Sequence, residues 1–174
     1  MMCASGITSP FHVGLATPDM NEVQALLSQL LGVVWVPLER PPVLHHTPDG
    51  PVRPSPRVSY SAQGPLHLEV LQAAAGTVYD PDRGTHVHHV GYWTDDFASD
   101  LAAACADGWS LEVCMHDEAG RPVIFAYLTH PTRLRVELVD TVGRPALEAL
   151  LAGALPREAA PDDCPGPTRP DGRC

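Results

Sequence analysis

The chain has 174 residues and a formal net charge of −10, which suits one domain or two small fused modules. All 11 basic residues are arginine, so no lysine exists for a Schiff base, a pyridoxal phosphate anchor or a P-loop. An acidic chain without a basic stripe is unsuited to nucleic acid or anionic membranes. We therefore expect neither nucleic acid nor a membrane as a partner.

The N-terminal sequence and the cysteines indicate the cellular compartment. Residues 1–10 lack the basic and apolar segments of a signal peptide. The five cysteines are odd in number and lack CxxC spacing, which is typical of reduced thiols, with a Cys164–Cys174 disulfide as the alternative. These features predict a cytoplasmic protein.

Two short motifs each occur twice, in the same order. The tripeptide His-Val-Gly at residues 12–14 recurs at residues 89–91, and both copies are followed by bulky or apolar residues, Thr, one further residue and Asp. The sequence LHLEVLQ at residues 66–72 matches LRVELVD at residues 134–140. Two matched motifs in the same order indicate a tandem duplication.

The first module is predicted over residues 11–75, after an N-terminal extension of residues 1–10. An extended run leads into a helix that Thr17 can cap and Gly32 can end. Three strand-like runs follow, at residues 33–36, 57–62 and 66–72. A proline-rich insert over residues 37–56 separates the first of these runs from the second. The order of elements is therefore β-α-β-β-β.

The second module is predicted over residues 88–140, after a linker of residues 76–87. It repeats the order of the first, with Thr94 as the helix cap and strand-like runs at residues 109–114, 123–128 and 134–139. A short amphipathic helix is expected over residues 141–155. Residues 156–174 are rich in proline and lack apolar periodicity, which predicts a disordered tail.

Four potential metal ligands occupy equivalent positions in the two modules. If the modules pack about a pseudo-twofold axis, strand alternation brings together His12, Glu69, His89 and Glu137. Two neutral imidazoles and two carboxylates suit a divalent first-row metal ion. The alternative is that the glutamates are solvated and the histidines are hydrogen-bonded in a core. Repetition of all four residues favours the metal site, which also removes the cost of an unpaired carboxylate between Leu68 and Val70.

These motifs resemble the vicinal oxygen chelate superfamily, which includes glyoxalase I, methylmalonyl-CoA epimerase, extradiol dioxygenases, and fosfomycin and bleomycin resistance proteins. Over residues 11–140 the resemblance implies an α+β fold: two tandem βαβββ modules form a curved, cup-like mixed β-sheet with flanking helices. It also implies one divalent ion (Ni, Co, Zn, Mn or Fe), a small-molecule substrate and a homodimer. No arginine-rich glutathione-binding pattern or lysine cluster for coenzyme A is present.

The resemblance implies a reaction in which substrate binds through two adjacent oxygens and the metal stabilises an enolate, alkoxide or oxyanion. We expect an isomerase, epimerase or lyase acting on a carbonyl compound, with Glu69 or Glu137 as the base. Natural-product metabolism is one setting for it. An Fe(II) extradiol-type dioxygenase would instead use His12, His89 and Glu137 and leave Glu69 without a role. A protein that sequesters a drug or a biosynthetic intermediate is a third alternative, but it has no need of four ligands.

Other residues are candidates for substrate contact. His67 shares a face with Glu69 and can serve as a proton shuttle, and Arg135 can neutralise a substrate anion or lie exposed. Four aromatic residues are expected to form cavity walls: Tyr60, Trp93, Phe125 and Tyr127. In a straight strand His86 and His88 would face away from His89. His45 and His46 are expected near the cavity mouth.

Overall fold

A computed structural model of the chain describes residues 6–38, 44–47, 50–54 and 56–155. The strands are β1 (Ile7–Thr17), β2 (Trp35–Leu38), β3 (His45–Thr47), β4 (Gly50–Val52), β5 (Val58–Ser61), β6 (His67–Gln72), β7 (His86–Thr94), β8 (Ser110–His116), β9 (Pro122–Thr129) and β10 (Arg135–Asp140). The helices are α1 (Met20–Leu31), α2 (Phe97–Ala106) and α3 (Arg144–Ala154), with 3₁₀ turns at Pro81–Arg83 and Thr141–Gly143.

All ten described strands form one mixed sheet, in the order β2-β5-β6-β1-β7-β10-β9-β8-β3-β4. In each half the first strand lies parallel to the last, since β1 pairs with β6 and β7 pairs with β10. The halves join where β1 and β7 run antiparallel, with Val13 opposite Val90 at the centre of the repeat motifs. The two βαβββ modules are thus related by a pseudo-twofold axis between β1 and β7.

The two faces of the sheet carry different helices. On one face, Met20 and Val23 of α1 pack on Val70 in the first module. The apolar residues of α2 pack on the strands of the second module in the same way. On the other face a larger apolar cluster includes Phe11, Leu71 and Trp93, among others, together with Leu151 of α3. This second face, partly covered by α3, carries the candidate site.

Aspartate side chains, not the predicted threonines, cap α1 and α2. Asp19 accepts a hydrogen bond from the backbone of Glu22, and Asp96 accepts one from the backbone of Ser99. The threonine hydroxyl of each Thr-x-Asp motif instead receives the backbone N–H of its own aspartate. The predicted stop of α1 is confirmed, because Gly32 ends it at a φ of 67°, which favours glycine.

Tertiary pairing extends both central strands beyond the predicted boundaries. β1 begins at Ile7, within the predicted extension of residues 1–10, because Ile7 and Pro10 pair with the far end of β7. β7 begins at His86, within the predicted linker of residues 76–87, because it pairs with Ala16 at the end of β1. Neither extension has a local sequence signal, since each depends on its partner strand.

The proline-rich insert contains a short hairpin instead of only a loop. Strands β3 and β4 pair with each other, and β3 also pairs with β8 of the second module. The insert of one module therefore extends the sheet of the other, and His45 and His46 lie on β3. The predicted tail of residues 156–174 lies outside the described residues.

Both outer strands of the described sheet contain proline. Pro37 lies in β2 and Pro51 in β4, and proline removes a backbone donor from a sheet edge. These strands therefore give little support to a homodimer formed edge to edge, and the homodimer stays a prediction. No helix in the described ranges is both long and apolar enough to cross a membrane.

Candidate metal centre

The four predicted ligands lie on four adjacent strands of the sheet. His12 is on β1, Glu69 on β6, His89 on β7 and Glu137 on β10. Parallel pairing sets Glu69 opposite Gly14, and Glu137 opposite Gly91. Each carboxylate therefore lies one strand away from the histidine of its own module, and the β1–β7 pairing brings the two modules together.

The four side chains meet within a single chain. The Nε2 atoms of His12 and His89 are 2.7 Å apart. Each glutamate Oε2 lies close to both imidazoles, at 3.0 and 3.3 Å for Glu137 and at 3.5 and 3.1 Å for Glu69. All four residues are buried, with exposures of 6% or less. The structure thus brings together the four side chains that the sequence analysis placed in one cluster, with their potential ligand atoms within 4.8 Å of one another.

Two glycines make room for the two imidazoles. Gly14 lies opposite His89 in the β1–β7 ladder, and Gly91 lies opposite His12. A Cβ at either glycine would collide with the ring of the facing histidine. The His-Val-Gly motif therefore has a reciprocal function, because the glycine of each copy accommodates the histidine of the other.

Without a metal ion, the cluster is held by opposite charges. Burial by itself lowers the pKa of a histidine and raises that of a carboxyl group. Against that effect, Glu137 and Glu69 raise the pKa of His89 to about 9, and the two histidines lower the pKa of Glu137 to about 2. The pKa of His12 is also raised and that of Glu69 is lowered well below its usual value.

The geometry of the donor atoms fits a divalent metal ion. The Oε2 atoms of Glu69 and Glu137 are buried without a well-formed hydrogen bond, although both lie within 3.5 Å of the imidazole nitrogens. Donor atoms at such separations are compatible with a common point about 2 Å from each, the length of a metal–nitrogen or metal–oxygen bond. Two carboxylates also balance the charge of a divalent ion. His12, Glu69, His89 and Glu137 can therefore hold a metal ion.

A β-bulge turns His88 towards the site, so the prediction that it faces away from His89 is wrong. Gly14 pairs with His89 and Leu15 pairs with Val87, which leaves His88 as the extra residue. Neighbouring side chains at a bulge no longer alternate between faces. Here His88 is buried, and its Nδ1 lies 2.9 Å from Nδ1 of His89. The pair His88-His89 is visible in the sequence, but the bulge has no local signal.

His88 fixes the orientation and tautomer of His89. The Nε2–H of His88 donates to the carbonyl oxygen of Val78 at 3.0 Å, because a carbonyl can only accept. Burial lowers the pKa of His88 to about 3, so its Nδ1 is unprotonated and accepts a hydrogen bond from Nδ1–H of His89. A neutral His89 therefore presents the lone pair of Nε2 to the cluster, as a metal ligand must.

A match over most of the chain identifies the family to which the protein belongs. The sequence model of the glyoxalase/bleomycin resistance protein/dioxygenase superfamily matches residues 11–143. The chain belongs to this superfamily. The resemblance inferred from the repeated motifs is thus confirmed. Comparison with curated proteins finds no significant match.

Solved structures show the fold of this superfamily in three similar proteins. Methylmalonyl-CoA epimerase from Mycobacterium tuberculosis is 18% identical, with a TM-score of 0.58, over 84% of this chain and 97% of that one. A methylmalonyl-CoA epimerase in complex with methylmalonyl-CoA and NH4+ is 19% identical, with a TM-score of 0.54, over 77% of this chain and 94% of that one. A mutant of 4-hydroxymandelate synthase from Streptomyces coelicolor is 21% identical, with a TM-score of 0.53, over 78% and 39%. At these identities the similarity establishes the α+β fold alone.

A cavity of about 370 Å³ adjoins the four-residue cluster of this superfamily member, and Glu137 forms part of its wall. Three of the four predicted wall residues line it: Tyr60, Trp93 and Phe125. The fourth, Tyr127, is buried beneath the site, where its ring packs against His89 and its hydroxyl lies 3.2 Å from that of Tyr79. Burial, with the charge of Glu137, raises the pKa of Tyr127, so its hydroxyl stays protonated.

The two predicted polar contacts lie away from the ligand cluster. Nδ1–H of His67 donates to the carbonyl oxygen of Ser61 at 2.8 Å, and its side chain lines a second cavity. Arg135 forms two hydrogen bonds to the carboxylate of Glu112, at 2.6 and 2.7 Å. It also reaches the backbone oxygen of the bulged His88, so its guanidinium is engaged within the protein.

Replacing Gly91 by alanine should weaken metal binding without removing a ligand. The added methyl group would displace the His12 ring, so we expect zinc affinity to fall about 10- to 100-fold, as when the support of a ligand is lost. Competition with a chromophoric chelator measures it. Gly153→Ala is the control, because a Cβ there meets nothing within 4 Å. Equal affinity in both variants would contradict this role.

Replacing His88 by phenylalanine should lower zinc affinity about 10- to 100-fold, because His89 then loses the group that fixes its tautomer. Glutamine should retain most of the affinity, because its amide can accept from His89 and donate to Val78. The same chelator competition measures both variants, with His130→Phe as a distant control. A loss as large in His88→Gln as in His88→Phe would contradict the tautomer argument.

Metal affinity should rise with pH between pH 6 and pH 8. His12 and His89 have raised pKa values in the metal-free protein, so a metal ion must displace protons from them. Affinity should then increase by about tenfold per pH unit for each proton displaced, with the gain ending above the metal-free pKa values. Calorimetry in buffers of different ionisation enthalpy measures the protons released. Binding without proton release at pH 7 would show that the imidazoles are already neutral.

Proposed function

We propose that the protein is a metal-dependent isomerase, epimerase or lyase that moves a proton next to a carbonyl group of a small molecule. The observation that supports this proposal is the second carboxylate in the cluster. Glu69 and Glu137 approach the two imidazoles to similar distances, so Glu69 has a place in the site equal to that of Glu137. A facial set of two histidines and one carboxylate would leave Glu69 buried and unpaired, which is costly.

Glu137 is the better placed of the two glutamates to act on a substrate. It lines the cavity, whereas Glu69 is not among the described residues of that wall. At neutral pH Glu137 is a carboxylate, because its pKa lies far below 7, and a carboxylate can accept a proton. We therefore assign the base to Glu137, and a supporting ligand role to Glu69.

A bound divalent ion would polarise a carbonyl oxygen and so acidify the adjacent C–H bond. Glu137 then removes that proton, and the electron pair of the C–H bond moves towards the carbonyl oxygen. In an α-hydroxycarbonyl substrate, return of the proton to the former carbonyl carbon, together with transfer of the hydroxyl proton to the other oxygen, isomerises the substrate. Return of the proton to the opposite face of the original carbon inverts it. Glu137 is only 6% exposed, which limits its contact with water and favours proton transfer within the site.

Metal content tests the site independently of any substrate. Untagged wild-type protein should contain a near-stoichiometric ion of Ni, Co, Zn, Mn or Fe by elemental mass spectrometry. His12→Ala and Glu69→Gln should reduce the content, because each removes one ligand, whereas Glu148→Gln on the exposed face of α3 should not. No metal in the wild type, even after reconstitution, would refute the metalloenzyme. Iron retained in Glu69→Gln, with oxygen uptake on catechols, would support the dioxygenase.

Proton exchange tests the base. In D₂O the metal-loaded protein should exchange the α-protons of α-hydroxyketones, followed by ¹H NMR. Glu137→Gln at saturating metal should lower the exchange rate about 10²- to 10⁴-fold, the usual contribution of a general base. Glu148→Gln is again the control. Unchanged exchange in metal-loaded Glu137→Gln would refute the assignment, and loss in Glu69→Gln alone would transfer the role of base to Glu69.

A further inference from the structure

The cavity beside Glu137 has a predominantly apolar and aromatic wall. Phe11 and Trp93 stack with ring centroids 3.8 Å apart and planes inclined by 13°, and Tyr60 and Phe125 add two further rings. Leu147 of α3 lies on the same wall. A cavity of about 370 Å³ lies at the small end of the usual range for ligand sites. It fits a ring with a short substituent.

The described wall offers no positive charge to a ligand. Its acidic residues are Glu137 and Asp140, and no arginine or histidine is among the described lining residues. A divalent ion would be neutralised by Glu69 and Glu137, which leaves Asp140 as a net negative charge. An anionic group in this cavity would be desolvated and repelled.

The basic side chains nearest to this cavity line a separate one. Phe11, Trp93 and Leu147 border both spaces, and His67 and Arg144 line only the second. The Arg144 guanidinium is engaged by Glu148 at 2.7 Å. The basic groups are therefore on the far side of an aromatic partition from the metal centre.

Backbone strain occurs where β9 borders the cavity. Ile124 has a φ of 68°, which is rare for a β-branched residue. It lies at a register shift between β8 and β9, next to Phe125. Strain of this kind collects at ligand sites, and here the irregular backbone places both side chains on the cavity wall.

We propose that this cavity binds an uncharged aromatic ring attached to the two adjacent oxygens of the substrate, as in an aryl α-hydroxyketone. This inference rests on the proposed function for the two oxygens, and on the described wall for the ring. The part of the substrate next to the metal centre is accordingly neutral and flat, and a carboxylated ring is rejected by Asp140 and by the apolar wall.

Three probes that share one chelating group test the proposal: hydroxyacetone, 2-hydroxyacetophenone and 2-hydroxyacetophenone with a para carboxylate. Their affinities for zinc-loaded protein can be measured by calorimetry, with competition for the weak binders. We expect the phenyl probe to bind at least tenfold more tightly than the methyl probe, because it buries a ring. It should also bind at least tenfold more tightly than the carboxylated probe. Equal affinity for methyl and phenyl, or tighter binding of the carboxylated probe, would overturn the proposal.

A pair of matched variants on α3 locates the binding. Ala146 lines the cavity, whereas Ala149, also exposed on α3, is not among its described lining residues. Ala146→Arg should reduce the discrimination against the carboxylated probe about tenfold or more, because it adds a cation to the wall. Ala149→Arg should leave it unchanged. Equal effects of both variants would mean that the preference arises outside this cavity.

Protein without metal separates this inference from the proposed function. In Glu137→Gln protein that carries no metal, all probes should bind more weakly, but phenyl should still be preferred over methyl, because the apolar wall is unchanged. If metal-loaded wild type did not exchange α-protons but still preferred the phenyl probe, only the proposed reaction would be refuted. Normal exchange without a phenyl preference would refute the aromatic ligand alone.

Discussion

The pairing of β1 with β7 is the constraint on which the site depends. Val13 opposite Val90 places each histidine of the repeated motif against the glycine of the other copy. A shift of one of these strands by one residue would turn its histidine to the opposite face of the sheet. Because the pairing is antiparallel and central, the same ladder also brings the parallel neighbours β6 and β10, and hence both carboxylates, to the two histidines.

The buried charges of the cluster are tolerable only in combination. Four ionisable groups with 6% exposure or less would be very costly as separate charges. Protons on the histidines pair the charges in the metal-free protein, and a divalent ion does so when it replaces those protons. The shifted pKa values of His89 and Glu137 and the fit of the donor atoms to one ion are thus two consequences of the same arrangement.

The duplication made much of this structure predictable from the sequence. Repeat-equivalent positions carried the βαβββ order, the pseudo-twofold axis and all four candidate ligands, because symmetry converts a spacing into a three-dimensional relation. Features that depend on one partner strand escaped prediction, as with the pairing of β3 on β8. The orientation of His88 was not predicted because strand alternation fails at a bulge. The hydrogen bonds of Arg135 were not predicted because its partner Glu112 is distant in sequence.

Sequence differences between the two modules make the two sides of the site unlike each other. Both histidine ligands follow a residue left unpaired by a register shift: Phe11 before His12, and His88 before His89. In one copy this residue is a cavity wall stacked on Trp93, and in the other it is a hydrogen-bonding support. The position equivalent to Trp93 is a buried alanine, Ala16. The aromatic pair therefore lies on one side of the site and the hydrogen-bonded histidine pair on the other. Among the described residues, Glu137 lies at the cavity wall and Glu69 does not. The pseudo-symmetric cluster of two histidines and two glutamates is therefore open to the cavity on the side of Glu137.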